Sequence, residues 1–220
     1  MRATITAVSQ RTAAGVVLTG GRSRRMGRDK AAVPWRDGTL LDHVLAVLTT
    51  ALGGPLVVVG SADSPGPAAG PRVLPVVDDE PGRGPLQGLA TGLTAAGRAG
   101  AEVAFVCSVD LPLLHRSYVT AVLGALGTAE VALPVLHGHR QPLAAAYRTA
   151  LGPRATALLA GGARRPAELF AVSDVRELTA ADLLDDPDLA AADPELDAVR
   201  DADTPDDLAE LRARDERRSP

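Results

Sequence analysis

Short β-branched runs alternate with amphipathic stretches as far as Leu126, and that alternation constrains the fold more than any other feature of the chain. GVVLT (Gly15–Thr19), PLVVVG (Pro55–Gly60), RVLPVV (Arg72–Val77) and EVAFVCSV (Glu102–Val109) are apolar almost throughout. A strand that is apolar at consecutive positions has no solvent face, so such runs suit a sheet covered on both sides. Between them, Leu40–Leu52 places Leu41, Val44, Leu45 and Leu48 at the i, i+3, i+4, i+7 spacing of an amphipathic helix. Leu86–Ala96 and Ser117–Leu126 read the same way. Helices that connect buried strands make βαβ units. The expected fold is α/β: a three-layer α/β/α sandwich with a Rossmann-like, mostly parallel mixed sheet.

The second half is less regular. Glu130–Pro134, Leu143–Tyr147 and Leu169–Val175 read as strands, and Thr149–Ala160 as a helix. TPDD at Thr204–Asp207 is a helix start, with Thr204 as N-cap, Pro205 at the first helical position and two acids in the first turn. That helix is expected to run to Arg214. Gly53–Gly54, Ser61–Gly70 and Gly161–Gly162 have loop composition. No repeat or linker divides the 220 residues, so the expectation is one domain spanning 1–220, with a core over about 13–214 and short tails. Aromatic residues are only 2% of the chain, which leaves Ala, Val and Leu to build the core.

A net charge of −4 leaves no domain-wide basic field for nucleic acid. The single cysteine, Cys107, excludes a disulfide within the chain and reads as a small buried hydrophobe. The N-terminal segment has no signal-peptide core, and no apolar run approaches the ~18 residues of a membrane span. A cytoplasmic location without membrane contact is the expectation.

The local charge is more telling than the total. LTGGRSRRMGRDK (Leu18–Lys30) is glycine-rich and basic and follows a strand. Its glycines let backbone amides turn inward around an anion, and Arg25 and Lys30 are the candidate phosphate partners, as fork donor and point charge. It lacks the Lys-Ser/Thr pair of a P-loop and has no G-x-G-x-x-G. The alternative is a solvated loop.

Three acidic stretches follow. In VVDDEPGRGPLQGL, Asp78 or Asp79 could meet a ribose hydroxyl or substrate, and Gly84 and Gly88 would permit close approach; a solvated turn is the competing reading. Asp110 ends a buried strand, where open α/β sheets bind ligands, and could hold Mg²⁺ or cap the next element. Asp201 and Asp203, alternate residues of RDADTPDDL, could face one metal or merely precede the last helix. His43, His115, His137 and His139 show no ligand spacing and read as surface or structural residues. No nucleophile–His–Asp assembly is evident.

Together these stretches resemble the molybdenum cofactor guanylyltransferase family of nucleotidyltransferases. Its L-A-G-G-x-S-x-R-M-G-x-D-K signature is matched at every fixed place but Thr19. GPLQGL, VDLPLL, RQPLAAAYR (Arg140–Arg148) and RDADTPDDL resemble its later elements in order, with Val109 in place of a cysteine. The resemblance implies a nucleotide-diphospho-sugar-transferase-like fold and transfer of GMP from GTP to the phosphate of molybdenum-molybdopterin. It implies that Leu18, Gly20 and Gly21 receive guanine and ribose, with Thr19 in the same nucleotide-binding segment. Lys30 falls on the phosphates, Asp78 in the nucleotide pocket and Asp110 on Mg²⁺, while Gly84, Gln141 and Pro142 fall near the pterin substrate. Catalytic roles fall to Arg25, Lys30 and Asp110, and metal ligation to Asp110 with Asp201 or Asp203. The expected partners are GTP and a molybdopterin-type molecule, in a monomer or weak homo-oligomer. Asp201 and Asp203 stand where guanylyl enzymes mostly carry asparagines, which leaves CTP, another acceptor or a non-catalytic nucleotide-binding module as alternatives.

Overall fold

A computed structural model of the chain describes residues 12–19, 30–61, 70–78, 80 and 83–218. Gly20, Gly21, Arg25 and Asp79, singled out above, lie outside them. The elements follow in the order β1 (Ala14–Leu18), β2 (Pro34–Trp35), β3 (Gly38–Thr39), α1 (Leu40–Ala51), β4 (Leu56–Gly60), β5 (Val73–Val77), α2 (Pro85–Arg98), β6 (Val103–Ser108) and α3 (Arg116–Gly124). Then come β7 (Val131–Leu136), β8 (His139–Arg140), β9 (Ala144–Arg148), α4 (Leu151–Ala160), α5 (Pro166–Phe170), β10 (Val175–Leu178), α6 (Ala180–Leu184), α7 (Pro187–Ala192) and α8 (Pro205–Arg218).

One sheet runs β10-β7-β9-β6-β1-β4-β5, with β8 paired to β7. β5, β4, β1 and β6 are mutually parallel, and β10 is parallel to β7. β9 runs against both its neighbours. That reversal matters for the site, because it brings the start of β9 beside the end of β6, with Ala144 opposite Cys107.

All five residues of β1 are buried. Side chains alternate across a strand, so Val16 packs with Val59, Leu89 and Leu93 beneath α2 and α4, while Val17 packs with Leu48, Phe105 and Tyr118 on the other face. Leu183, Leu189, Leu208 and Leu211 extend that second layer, carrying α6, α7 and α8 onto the same side as α1 and α3. Each buried leucine contributes on the order of 1.5–3 kcal/mol, so an aliphatic core with few aromatics is sufficient. No helix among the described residues is long and apolar enough to cross a membrane.

Three expectations are corrected. Arg72–Val77 is a strand, but at the sheet edge rather than covered on both faces: Leu74 and Val77 are exposed. Pro75 explains the position, since a residue without an amide hydrogen is tolerated where no neighbouring strand needs it. Leu169–Val175 is not a strand. Glu168 Oε2 accepts the amides of both Arg164 and Arg165 at 2.7 Å and starts α5 at Pro166, so β10 begins only at Val175. The helix expected from Thr149 begins at Leu151, because the Thr149 hydroxyl donates to the Ala101 carbonyl at 2.7 Å and ties that residue to the sheet.

Candidate functional site

The parallel strands end together along one rim of the sheet. The Thr19 amide and hydroxyl both donate to the Val59 carbonyl, at 2.9 and 3.0 Å. The Val109 amide donates to the Leu18 carbonyl at 3.1 Å. These bonds align the ends of β4, β1 and β6, and they place Asp110 one residue beyond Val109. On the far side of β4, the Asp78 amide donates to the Gly60 carbonyl at 2.7 Å, and the Asp78 carboxylate accepts the Glu80 amide.

Lys30 opens a 3₁₀ turn over Lys30–Ala32. Buried Ala31 and Val33 anchor that turn against α1, where the Leu40 amide donates to Val33. The lysine side chain projects into the rim. Its Nζ donates to Asp110 Oδ2 and to Asp203 Oδ1, each at 2.6 Å. Lys30 and Asp110 side chains are only 12% and 13% exposed, whereas Asp203 is 49% exposed. Burial works against the Lys30 ammonium, but the hydrogen bonds to Asp110 and Asp203 outweigh it and hold its pKa above the ordinary lysine value.

Asp203 reaches Lys30 because its segment is fixed at both ends. The Ala202 amide donates to the Asp110 carbonyl at 3.0 Å. After it, Asp207 Oδ2 accepts the Thr204 amide at 2.8 Å while Thr204 Oγ1 accepts the Asp207 amide at 3.1 Å, a reciprocal cap on α8. Asp201 lies on the other side of Ala202 and reaches solvent. Partial burial, then the negative charges of Asp203 and Asp110, raise its carboxyl pKa.

The structure therefore joins Lys30, Asp110 and Asp203 directly and sets Leu18, Thr19 and Asp201 beside them. Asp78 stands three strands away along the rim, about 14 Å by strand spacing. Gln141 and Pro142 lead into β9, where the Ser108 amide donates to the Leu143 carbonyl at 3.0 Å, so this segment borders the Asp110 end of the rim. The Gln141 amide donates to Pro134, and the Pro142 carbonyl accepts the Tyr147 hydroxyl at 2.7 Å. Gly84 precedes α2 with φ of 90°, and a Cβ there would lie 2.7 Å from the Arg164 carbonyl. That carbonyl accepts the Leu86 amide, so the α4–α5 loop caps the start of α2. Arg164 was not anticipated from the sequence; the Gly161–Gly162 pair signals a turn but not what the turn touches.

A hard divalent cation fits this donor set. The two carboxylates converge on one point already occupied by positive charge, and oxygen ligands of this kind suit Mg²⁺ or Mn²⁺. Among the described residues no group of three or more His, Cys, Asp or Glu side chains could hold a metal, so such an ion would draw further ligands from its substrate. The buried Cys107 thiol, pushed upward by burial and by Asp110, is not a nucleophile at neutral pH. His115 and His137 bond to Asp193 and to the Leu196 carbonyl, as structural residues do.

Comparison with known proteins agrees with this geometry. The chain is 43% identical over 169 residues, 75% of its own length and 84% of the relative's, to a protein of Mycobacterium avium (strain 104) named "Probable molybdenum cofactor guanylyltransferase". Its fold is similar to that of molybdopterin-guanine dinucleotide biosynthesis protein A from Archaeoglobus fulgidus, with a TM-score of 0.71 and 19% identity over 93% of this chain and 99% of that one. It is also similar to Rv0371C of Mycobacterium tuberculosis H37Rv, solved in complex with manganese, with a TM-score of 0.54 and 16% identity over 76% and 88% of the two chains. The MobA-like NTP transferase domain matches residues 15–175, the stretch that carries β1, Lys30, Asp110 and the start of β9; the chain belongs to that family.

Proposed function

We propose that this protein transfers GMP from GTP to the terminal phosphate of molybdenum-molybdopterin, forming the guanine dinucleotide of the cofactor and releasing pyrophosphate. The observation that carries the reading is the convergence of Lys30, from the glycine-rich signature, on Asp110 and Asp203, from two distant acidic elements. The names of the relatives support the choice of substrates.

An acceptor phosphate oxygen attacks the α-phosphorus of GTP in line. A new P–O bond forms, the bond from the α-phosphorus to the bridging oxygen breaks, and its electron pair leaves with pyrophosphate. A phosphate monoester is already ionised near neutral pH, so no general base is needed, which fits a site without a histidine. What remains is positioning and charge. Leu18 and Thr19 form the rim against which the nucleoside lies, with Gly20 and Gly21 offering backbone amides. Asp78 meets the ribose. Arg25 and Lys30 receive the phosphates and stabilise the departing pyrophosphate. Asp110 and Asp203 would hold Mg²⁺, which when bound would neutralise charge on the triphosphate. Gly84, Gln141 and Pro142 border the acceptor. Both substrates are small and soluble, which fits a cytoplasmic enzyme.

The test is direct: purified protein with molybdenum-molybdopterin, Mg²⁺ and either GTP or CTP, read as dinucleotide and pyrophosphate formed. Product with GTP alone is expected. Product with CTP alone moves the protein to cytidylyl transfer, and no product with either nucleotide overturns the reading.

A further inference from the structure

Lys30 is the only lysine in the chain; every other cationic side chain among its 23 Lys and Arg residues is an arginine. It sits where the proposed chemistry makes two demands that conflict. Its Nζ binds Asp110 and Asp203 at 2.6 Å each, yet the same ammonium is assigned to the triphosphate and the same two carboxylates to the metal. Each carboxylate has a second oxygen to offer, but an ammonium and a divalent cation held on the same pair of enclosed carboxylates repel each other, so the two compete for the site. We propose that Lys30 is an exchangeable counter-ion: its ammonium offsets part of the charge of Asp110 and Asp203 in the nucleotide-free protein and passes to the triphosphate when metal and nucleotide arrive together. The inference rests on the nucleotidyltransferase reading above.

The chemistry of lysine suits the exchange. A carboxylate as enclosed as Asp110 is destabilising without a cation beside it, so the vacant site needs a charge of its own. A guanidinium would hold the carboxylates by a rigid fork, whereas an ammonium is a compact point charge on a flexible stem. The exchange also has an open side, since Asp203 is half-exposed while Lys30 and Asp110 are enclosed.

An order of binding follows. A metal ion arriving alone meets two carboxylates whose charge is already half offset by a tethered cation, and displacing Lys30 leaves that ammonium without a partner in an enclosed place. A metal ion arriving with a triphosphate brings Lys30 a new anion and supplies its own remaining ligands as phosphate oxygens. Metal and nucleotide must then strengthen each other by the same factor, because coupling between two binding equilibria is reciprocal.

The test uses the full chain and begins without nucleotide. Mn²⁺ is titrated by the paramagnetic resonance of the free ion into wild type and Lys30→Met. With the tethered cation removed, the variant is expected to bind Mn²⁺ at least about tenfold more tightly than wild type. Equal or weaker Mn²⁺ binding by a folded variant overturns the proposal. Should the variant not fold, wild type labelled with ¹³C-lysine carries a single lysine ε-carbon resonance, which reports on Lys30 alone. That resonance is expected to move with Mg²⁺ and GTP together and not with millimolar Mg²⁺ alone. A full shift with Mg²⁺ alone, or no shift under Mg²⁺ and GTP that demonstrably bind, overturns it. A protein whose melting temperature no nucleotide raises would refute the functional reading instead, and the Mn²⁺ comparison would still decide the role of Lys30.

Discussion

The amide of Ala202 donates to the carbonyl of Asp110 across 3.0 Å, and this main-chain bond brings the two acidic elements into one site. The chain on either side of Ala202 is held, so Asp203 meets Lys30 while Asp201 reaches solvent. Asp110→Asn and Asp203→Asn should each lower the rate of dinucleotide formation by roughly 10²–10³, as loss of one preorganised electrostatic contact does elsewhere. Asp201→Asn should cost less than about tenfold on the same scale, because its carboxylate does not share the Lys30 position. Steady-state rates on the three purified variants, with melting temperatures to confirm folding, decide the matter. A large loss at Asp201 with near-normal Asp203→Asn would exchange their roles.

Gly92 faces Val16 where α2 crosses β1. A Cβ at Gly92 would lie 2.4 Å from Val16 Cγ1, closer than packed carbon atoms approach. Gly92→Ala should therefore destabilise the protein by about 1–3 kcal/mol, the usual cost of overpacking, despite the better helix propensity of alanine. Val16→Ala removes the obstructing methyl groups. In the double variant the alanine at 92 should fill part of the space vacated at 16, so the two effects should sum to less than their separate values by at least about 0.5 kcal/mol. Denaturant titrations of the four proteins measure this, and strict additivity would mean that helix and sheet relax apart instead.

The contrast between those two contacts shows what a single sequence displays. Val16 and its neighbours are apolar on both faces of a parallel strand, so their burial is visible as an unbroken run, and β1, β4, β6, α1 and α2 were all expected. The edge position of β5 was signalled by Pro75 but outweighed by the valines around it. At Leu169–Val175 hydrophobic content suggested a strand, yet one cap at Glu168 decided for a helix. The short helices α6 and α7 carry cap signals of the same kind, Thr179 with Asp182 and Asp186 before Pro187, in a stretch too short for periodicity to stand out. In the site, Lys30, Asp110 and Asp203 were each recognisable by type. Their meeting was not, because Lys30 and Asp203 are 173 residues apart and only the topology joins them.

Acid below the carboxyl range should loosen the α4–α5 region. Glu168 is held below the usual carboxyl range by the Arg165 and Arg164 amides, and Glu130 by the Arg154 guanidinium and the Asp174 amide. A carboxyl whose folded pKa is depressed stabilises the fold above its unfolded value and loses that contribution as pH falls through the folded one. The melting temperature should then decline below about pH 4.3, the unperturbed glutamate value. Glu168→Gln and Glu130→Gln should each melt lower than wild type at pH 7 and decline less steeply in acid. Melting curves from pH 7 to pH 3 test this; parallel acid limbs in wild type and variants would show that other carboxyls govern the transition.

His43 sets a second pH dependence, in a different window. Its ring meets Trp35 edge-on, with centroids 6.2 Å apart, and neither His43 Nε2 nor Trp35 Nε1 has a hydrogen-bond partner in this buried contact. Burial, and then the charge of Arg36, lower the His43 pKa from the ordinary value of 6.5. The folded protein thus favours the neutral ring, while the unfolded chain takes up a proton near pH 6.5. Stability from this residue is complete above that value and declines as pH falls from 6.5 toward the folded pKa. His43→Phe keeps an aromatic ring against Trp35 and abolishes the proton uptake; it removes the unpartnered nitrogen together with the ring's hydrogen bonding to the Leu114 and Pro112 backbone. Whatever the offset at pH 7, the variant should gain on wild type as pH falls between 6.5 and 5, well before Glu168 and Glu130 titrate. Melting temperatures of the two proteins across that interval separate the effects: a gap that stays constant would mean that His43 is protonated equally in the folded and unfolded states.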